Sequence, residues 1–268
     1  MNSINPSFEG TIPEKYDKHL GPFLFNYFSD DIVKRLAAYK LNTILEIACG
    51  TGIVTGTLVK NFPSAEITAT DINPDMLQHA KSKFTSESNI TWKTADAMKL
   101  PFENNSFDAV VCQLGVMFFP DKQAAFNEAF RVLKQDGIFI FNTMDNIEDN
   151  DVSYTANETL KNLFKGNPPD FFEIVFSMHN EKKIEKLLRD SGFKDIKINL
   201  IEGYTTGKSA QSVAAGLIEG TPVSIQINKM NTIPIIDVRK EVEKAIAAKH
   251  GDNPVRGKVK AIVCSGRK

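Results

Sequence analysis

The sequence predicts an α/β fold: a doubly wound, mostly parallel seven-stranded sheet with helices on both faces. Three observations predict it. From residue 42 onward, short apolar runs alternate with segments of helical spacing on short loops, the pattern of a parallel sheet covered on both sides. The first run, Thr43-Ile44-Leu45-Glu46-Ile47-Ala48, ends in a small-residue turn, Cys49-Gly50-Thr51-Gly52, that opens into a helical pattern. A strand feeding such a turn and then a helix is how an open α/β sheet makes a ligand crevice at its strand ends. Finally, the 268 residues are 42% hydrophobic and 24% charged, which is ample for a core of that size.

The elements follow in order. Residues 1–13 carry Asn, Ser, Pro and Gly and read as a mobile lead-in. Residues 13–22 suggest a short helix stopped by Gly21-Pro22. A second helix follows, with Leu24, Phe25, Phe28, Ile32, Leu36 and Ala37 on its apolar face. Both helices precede the first strand and could cover its carboxyl end. Strand 43–48 leads to a helix at 53–61. Strand 66–70 leads to Asp71-Ile72-Asn73-Pro74, where Asn73 caps a helix with Pro74 in its first turn. Strand 90–94, a long loop at 96–106 and strand 107–112 come next. Asp121 caps a helix running to 133, and Asp136-Gly137 turns into strand 138–142. The second half reads as a helix at 151–165, an extended segment at 171–177, a helix from Asn180 to 189 and a strand at 193–200. A small-residue helix at 209–218, a charged helix at 237–249 and a strand at 259–264 close the chain. There is no internal repeat, low-complexity tract or linker, so a single domain with an insertion after strand five is expected.

Charge and cysteine usage narrow the function classes. Lys and Arg number 32 against 33 Asp and Glu, leaving a net charge of −1. Without a basic excess, nucleic acid is not an expected partner. Cys49, Cys112 and Cys264 are odd in number and far apart, and read as buried free thiols. No cysteine or histidine pair has zinc spacing, so no metal is expected. Residues 1–14 lack a basic-then-apolar signal layout, and no apolar run approaches a membrane span; the expected location is cytoplasmic.

The turn is poorly suited to a pyrophosphate. A dinucleotide site asks for Gly-x-Gly-x-x-Gly, so that backbone can approach the phosphates at a helix N-terminus. Aligned on the strand end, those positions are Ala48, Gly50 and Ile53; shifted by two, they are Gly50, Gly52 and Thr55. Either way a branched side chain stands where helix and strand should close together. No Gly-Lys-Ser/Thr follows for a phosphate loop.

Glu46-x-Ala48-Cys49-Gly50-Thr51-Gly52 instead resembles the first motif of the class I S-adenosylmethionine-dependent methyltransferases, an acid followed by small-x-Gly-x-Gly. Ala48 stands for the usual first glycine. Further segments resemble the later motifs of that family in the same order. They are Asp71-Ile72, Asp96-Ala97, and Phe107-Asp108-Ala109-Val110-Val111 with Gln113 behind it. Arg131-Val132-Leu133-Lys134-Gln135-Asp136-Gly137 follows, with Gln-Asp for the usual Pro-Gly, and then Ser191-Gly192-Phe193 and residues 260–267. The resemblance runs from about Tyr16 to the C-terminus. It is closest to small-molecule enzymes similar to the ubiquinone/menaquinone-biosynthesis type.

The resemblance implies a Rossmann-like methyltransferase fold in one domain over 1–268, with a helical cover at 1–38, a cofactor-binding core at 42–145 and a substrate-side insertion with closing strands at 146–268. It implies S-adenosyl-L-methionine as cofactor and S-adenosylhomocysteine as product. The implied cofactor residues are Tyr16, Glu46, Ala48, Cys49, Gly50, Gly52, Asp71, Ile72, Asp96, Ala97 and Gln113. Glu46 would lie near the ammonium group, Asp71 on the ribose hydroxyls and Ile72 against adenine. Asp96 and Ala97 would hold the adenine edge, and Gln113 would face the methionine end. The reaction would be in-line methyl transfer to a small-molecule acceptor, for which the protein need not supply a base. Residues capable of that role are His19, His179, Tyr16 and Glu173, with His79 and His250 away from the expected cleft. Tyr16, Phe23, Met117, Phe118, Phe119, Phe171, Phe172 and Phe176 lie in segments expected to line the acceptor pocket, which points to a partly apolar or aromatic acceptor. Residues 209–220 are a candidate lid. Asn167-Pro168-Pro169-Asp170 looks like the Asn-Pro-Pro-Tyr motif of amino-group methylases, but it lies beyond strand five and reads as a proline turn. Two alternatives stay open: a module that binds S-adenosylmethionine without turnover, and a nicotinamide-dependent oxidoreductase. The acceptor atom and the oligomeric state are not legible.

Overall fold

Two-residue alternation along the strands sets the architecture, because it sends successive side chains to opposite faces of the sheet. The structure is a computed structural model and describes residues 8–84 and 89–268. The lead-in expected at 1–13 is therefore described only from Phe8, its first seven residues lying outside the described ones. Among the described residues, five parallel strands form most of the sheet: β1 (Thr43–Ile47), β2 (Glu66–Asp71), β3 (Ile90–Thr94), β4 (Phe107–Gln113) and β5 (Leu133–Met144). β6 (Lys194–Gly207) forms the far edge, and β7 (Val255–Arg267) runs antiparallel between β5 and β6. The order is β3-β2-β1-β4-β5-β7-β6.

Leu45, Ile47, Val110, Cys112, Phe139 and Phe141 point to one face, with Phe28 and Phe126. Ile44, Ala109, Val111, Ile138 and Ile140 point to the other, where Ile32, Leu36, Val54 and Leu58 cover them. From β1 the chain moves outward through β2 and β3, then returns to the other side of β1 as β4. That reversal opens a crevice at the carboxyl ends of β1 and β4. At the opposite end, Asp108 accepts the N–H groups of Asn42 and Thr43 at 2.8 and 2.9 Å and pairs with Lys134 at 2.8 Å, pinning the start of β1 to β4.

The N-terminal helices run on without the expected stop. α1 (Ile12–Lys15) passes into a wide π-helical stretch, Tyr16–Phe25, and then into α2 (Asn26–Leu36). Pro22 has no N–H to give, and the wider turn absorbs it: the Asn26 N–H reaches back to the Gly21 carbonyl. α3 (Ile53–Asn61) follows the β1 turn. α4 (Pro74–Lys83) is capped by Asn73 and α5 (Lys122–Val132) by Asp121, as expected. The expected turn at Asp136-Gly137 is taken up within β5 as an irregularity, with pairing jumping from Phe107–Leu133 to Ala109–Ile138 and Asp136 at φ +65°.

The second half departs further from expectation. After α6 (Asp151–Leu163), the segment expected to be extended is a short helix, α7 (Phe171–Val175). Its aromatic composition favours a strand, but Phe171, Phe172 and Phe176 are all buried, and their spacing fits one helical face. α8 (Glu181–Asp190) and α9 (Ala210–Glu219) fall where expected. α10 (Val223–Met230) was not foreseen, because Gly220-Thr221-Pro222 reads as an ending, whereas Pro222 sits at the start of a new helix. α11 (Ile235–His250) precedes β7. The three cysteines are buried free thiols.

Candidate active site

The turn after β1 is built from left-handed residues. Ala48, Gly50 and Gly52 have φ of +53°, +55° and +77°. A Cβ on Gly50 would meet nothing within 4 Å, so its backbone faces open space. Ala48 is tolerated at its positive φ only as a small side chain, at a cost of about 1–2 kcal/mol. Its methyl fills the space opposite Gly115: a Cβ there would stand 2.8 Å from both Ala48 Cβ and Cys112 Sγ. The loops leaving β1 and β4 therefore touch, and only glycine fits the β4 side.

Carboxylates surround this turn. Asp71, at the end of β2, is 8% exposed. Its Oδ2 accepts the Gly50 N–H at 2.8 Å and its Oδ1 the Asn73 N–H at 2.8 Å, so one side chain braces two turns. Burial raises its pKa against those hydrogen bonds. Glu46 lies beneath the turn, 1% exposed, and accepts a 2.6 Å hydrogen bond from Thr55 Oγ1. Burial pushes its pKa up to about 8, opposed by the Thr55 hydrogen bonds and reinforced by the charge of Asp71. Asp96 accepts the Met98 N–H at 2.8 Å, and Ile72 is 46% exposed. Gln113 donates from Nε2 to the Phe25 carbonyl at 3.1 Å. Its buried Oε1 has no partner among the described residues, and neither has the buried hydroxyl of Thr51.

These residues open on three adjoining spaces. Tyr16, Ala48, Gly50, Asp71, Ile72, Asp96, Ala97 and Gln113 line one cleft of about 840 Å³, open to solvent. Glu46, Cys49 and Thr51 line a smaller pocket of about 310 Å³ that shares Tyr16, Ala48, Gly50 and Gln113 with the cleft. An apolar chamber of about 560 Å³ shares Phe8, Tyr16, Leu114 and Phe118 with it. Tyr16 borders all three spaces. Its ring stacks on Phe25 with centroids 4.5 Å apart, and its hydroxyl has no hydrogen-bond partner among the described residues. Burial, then the charges of Asp71 and Asp17, push its pKa up, so the group stays protonated and can donate.

Residues 45–141 match the family described as a methyltransferase domain. That match spans β1 to β5, the strands whose carboxyl ends border the cleft. Over 133 residues it is 35% identical to the demethylmenaquinone methyltransferase of Staphylococcus aureus, a stretch covering 48% of this chain and 55% of that protein. The chain thus spans about half the length of the curated relatives it matches. Phosphoethanolamine N-methyltransferase 2 of Haemonchus contortus, solved with S-adenosyl-L-methionine, superposes with a TM-score of 0.60 at 17% identity, covering 96% of this chain and 56% of that one. The YcgJ protein of Bacillus subtilis superposes with a TM-score of 0.58 at 19% identity, covering 90% and 98%. At these identities the structural likeness is one of fold.

Gly52 lines none of the three spaces; it packs under Phe84 and Ala80 at the start of α3. Among the acceptor-pocket candidates, Tyr16, Met117, Phe118, Phe171, Phe172 and Phe176 line the chamber and Phe119 lines the cleft. Phe23 is core, packed beside Gly207. The histidines stay outside. His19 Nδ1 lies 2.8 Å from Ser212 Oγ on α9, and burial lowers its pKa, with Lys18 adding to the effect. His179 is exposed in the loop after α7, with Nδ1 2.8 Å from the Phe176 carbonyl, and Glu173 is exposed on α7. His250 pairs with Thr155 at 2.8 Å, and His79 lies 3.6 Å from Asp17. α9, the candidate lid, is largely buried: Gly216 lies close against His19 and Leu20, and Gly220 against the backbone of Tyr16. It forms a wall of the chamber through Leu217. The segment 167–170 is irregular chain leading into α7, after a turn at 164–166.

Sequence reasoning missed several lining residues. Gly115 had a signal, as a glycine directly beyond strand four. Phe8 had none: its ring meets Tyr16, Phe118 and Phe171 at 5.8, 6.1 and 6.2 Å, and its carbonyl accepts a 3.1 Å hydrogen bond from Asn73 Nδ2. Asn73 thus caps α4 and also tethers the segment that covers the cleft.

Proposed function

We propose that this chain transfers a methyl group from S-adenosyl-L-methionine to a partly apolar or aromatic small molecule. One observation carries the reading: a polar cleft at the strand switch point adjoins an apolar chamber, and the two share Tyr16, Phe8, Leu114 and Phe118.

The residues present suit that cofactor. The unpartnered Gln113 Oε1 and Thr51 hydroxyl, with the Glu46 carboxyl, offer hydrogen bonds to the zwitterionic amino-acid end. Asp71 keeps lone pairs free beyond its two backbone bonds and would hold the ribose hydroxyls. Ile72 offers an exposed apolar face for adenine, and Asp96 with the Ala97 N–H would hold its edge. Ala48, Cys49 and Gly50 would give the close backbone approach, with Gly52 starting the helix behind them. Among the described residues, no lysine or arginine lines the cleft or the pocket beneath it. A pyrophosphate would meet Asp71 and Asp96 with no cation, which weighs against a nicotinamide dinucleotide.

When bound, S-adenosylmethionine supplies an electrophilic methyl carbon on sulfur, and the electrons of the broken C–S bond stay on sulfur in S-adenosylhomocysteine. The chain's own part is to orient the acceptor and exclude water from it. The aromatic walls do the second, and Tyr16, held protonated, donates a hydrogen bond at the border of cleft and chamber. The acceptor attacks with its own lone pair, and any proton it loses leaves to solvent through the open cleft, since no histidine or carboxylate lines the chamber. The staphylococcal relative is named for demethylmenaquinone, and an acceptor of that apolar kind would suit the lining. No helix among the described residues is long and apolar enough to cross a membrane. We place the chain in the cytoplasm as one domain, acting on small molecules rather than nucleic acid.

The lack of a base in the chamber also favours a second reading, a module that binds the cofactor without turnover. Incubation with methyl-labelled S-adenosylmethionine and fractionated metabolite extracts separates the two. Label appearing in an apolar fraction supports the enzyme. Cofactor binding with no label in any fraction leaves the module, and no cofactor binding at all sinks both readings.

A further inference from the structure

We propose that Ser153 orients the methyl acceptor, and that the part of the acceptor inside the chamber is uncharged and bears an oxygen or nitrogen facing the Ser153 hydroxyl. The proposal rests on the methyl-transfer reading for what the chamber holds.

The lining carries no Asp, Glu, His, Lys or Arg; its polar side chains are Tyr16, Ser153 and Thr221. Thr221 is already engaged, donating to the Leu217 carbonyl at 2.7 Å and accepting the Val223 N–H at 3.4 Å. Tyr16 stands at the border with the cleft. Ser153 is 9% exposed, lines the chamber, and makes no side-chain hydrogen bond to any described residue. A hydroxyl that lines a cavity and has no partner in the protein is accessible there and free to hydrogen-bond a ligand.

Its position is fixed by the sheet. Ser153 sits in the first turn of α6, and the three residues before it are pinned to β7. Asn150 exchanges two hydrogen bonds with the backbone of Lys260, at 3.2 Å to its carbonyl and 3.0 Å from its N–H. Asp151 accepts the Lys258 N–H at 2.9 Å. Val152 fills the space over Gly257, where a Cβ would come within 2.5 Å of its Cγ2. A hydroxyl anchored to a strand in this way can fix a ligand's orientation as a loop residue cannot. With no cation in the lining, a carboxylate or phosphate inside the chamber would be buried without a partner.

Binding of three probes, 4-ethylphenol, ethylbenzene and 4-ethylbenzoate, to the full-length chain tests this by ligand-observed NMR titration. Wild type should bind 4-ethylphenol about three- to tenfold more tightly than ethylbenzene and 4-ethylbenzoate weakest of the three. Ser153→Ala should remove the phenol's advantage while leaving ethylbenzene unchanged, and Ser153→Thr, which keeps the hydroxyl, should retain it. Equal binding of phenol and ethylbenzene by wild type, an advantage that survives Ser153→Ala, preferred binding of the benzoate, or no binding of any probe each overturns the proposal. S-adenosylhomocysteine affinity, titrated in parallel, reports separately on the methyl-transfer reading. Its absence would remove that reading without altering the probe result.

Discussion

Replacing Glu46 with glutamine should change the pH dependence of stability and of cofactor binding together. The carboxyl is 1% exposed, and burial pushes its pKa from the ordinary 4.5 to about 8 despite the Thr55 hydrogen bonds. The folded chain therefore keeps a proton on Glu46 that the unfolded chain gives up above pH 4.5. This group's contribution to stability is full below about 4.5 and is lost as pH rises through about 8. At about 1.4 kcal/mol for each tenfold change in proton affinity, the upper bound is about 5 kcal/mol. Glutamine keeps an oxygen for Thr55 and does not ionise. Glu46→Gln should thus gain about 2–5 kcal/mol relative to wild type between pH 5 and 8.5, measured by urea denaturation. Asp71, also raised by burial, is present in both proteins. Binding provides the second reading. If Glu46 ionises against the ammonium of S-adenosylmethionine, wild type should release most of one proton at pH 7. The binding enthalpy would then differ between phosphate and Tris buffers. The variant should release none and bind about tenfold or more weakly, the scale of a lost hydrogen bond to a charged group. Parallel stability curves for the two proteins, or a wild-type enthalpy independent of buffer, would refute the reasoning.

Two further substitutions probe the turn. Asp71→Ala should weaken cofactor binding by roughly 1–3 kcal/mol and also destabilise the fold by a similar amount, because the Gly50 and Asn73 N–H groups lose their acceptor. Calorimetry well below the melting temperature, showing unchanged affinity, would remove Asp71 from the ribose. Gly115→Ala should cost about 1–3 kcal/mol through overpacking against Ala48 and Cys112. Adding Ala48→Gly should stabilise the Gly115→Ala variant more than it stabilises wild type, because only in the variant does it also relieve a clash. Wild-type stability in the single variant would show that the two loops are not in tight contact.

The cleft was more legible than the chamber, and the reason is geometric. Glu46, Asp71, Asp96 and Gln113 lie at or just beyond the carboxyl ends of consecutive parallel strands, so strand order alone brings them to one edge of the sheet. The chamber draws on Phe8, Tyr16, Leu114, Ser153, Phe171 and Leu217, from six segments with no common spacing. Local pattern also misjudged places where neighbours outweigh propensity. The run at 171–176 has strand composition but buries a helical face, and Gly21-Pro22 does not end its helix because a π-helical turn accommodates the missing N–H.

The sequence by itself determined the alternating strands and helices of the first half and the small-residue turn after the first strand, while the resemblance picked out the acids around it. The elements and the turn follow from local chemistry: side-chain periodicity, capping by Asn73 and Asp121, and small residues where backbone must be exposed. Only the tertiary structure decided that α9 packs as a buried wall of the chamber, that His19 and His179 line none of the three spaces, and that Tyr16 borders all three. It also decided that Ser153 is a hydroxyl without a partner. Whether a side chain is buried, paired or left open depends on what other segments pack against it, and that information is distributed over the whole chain.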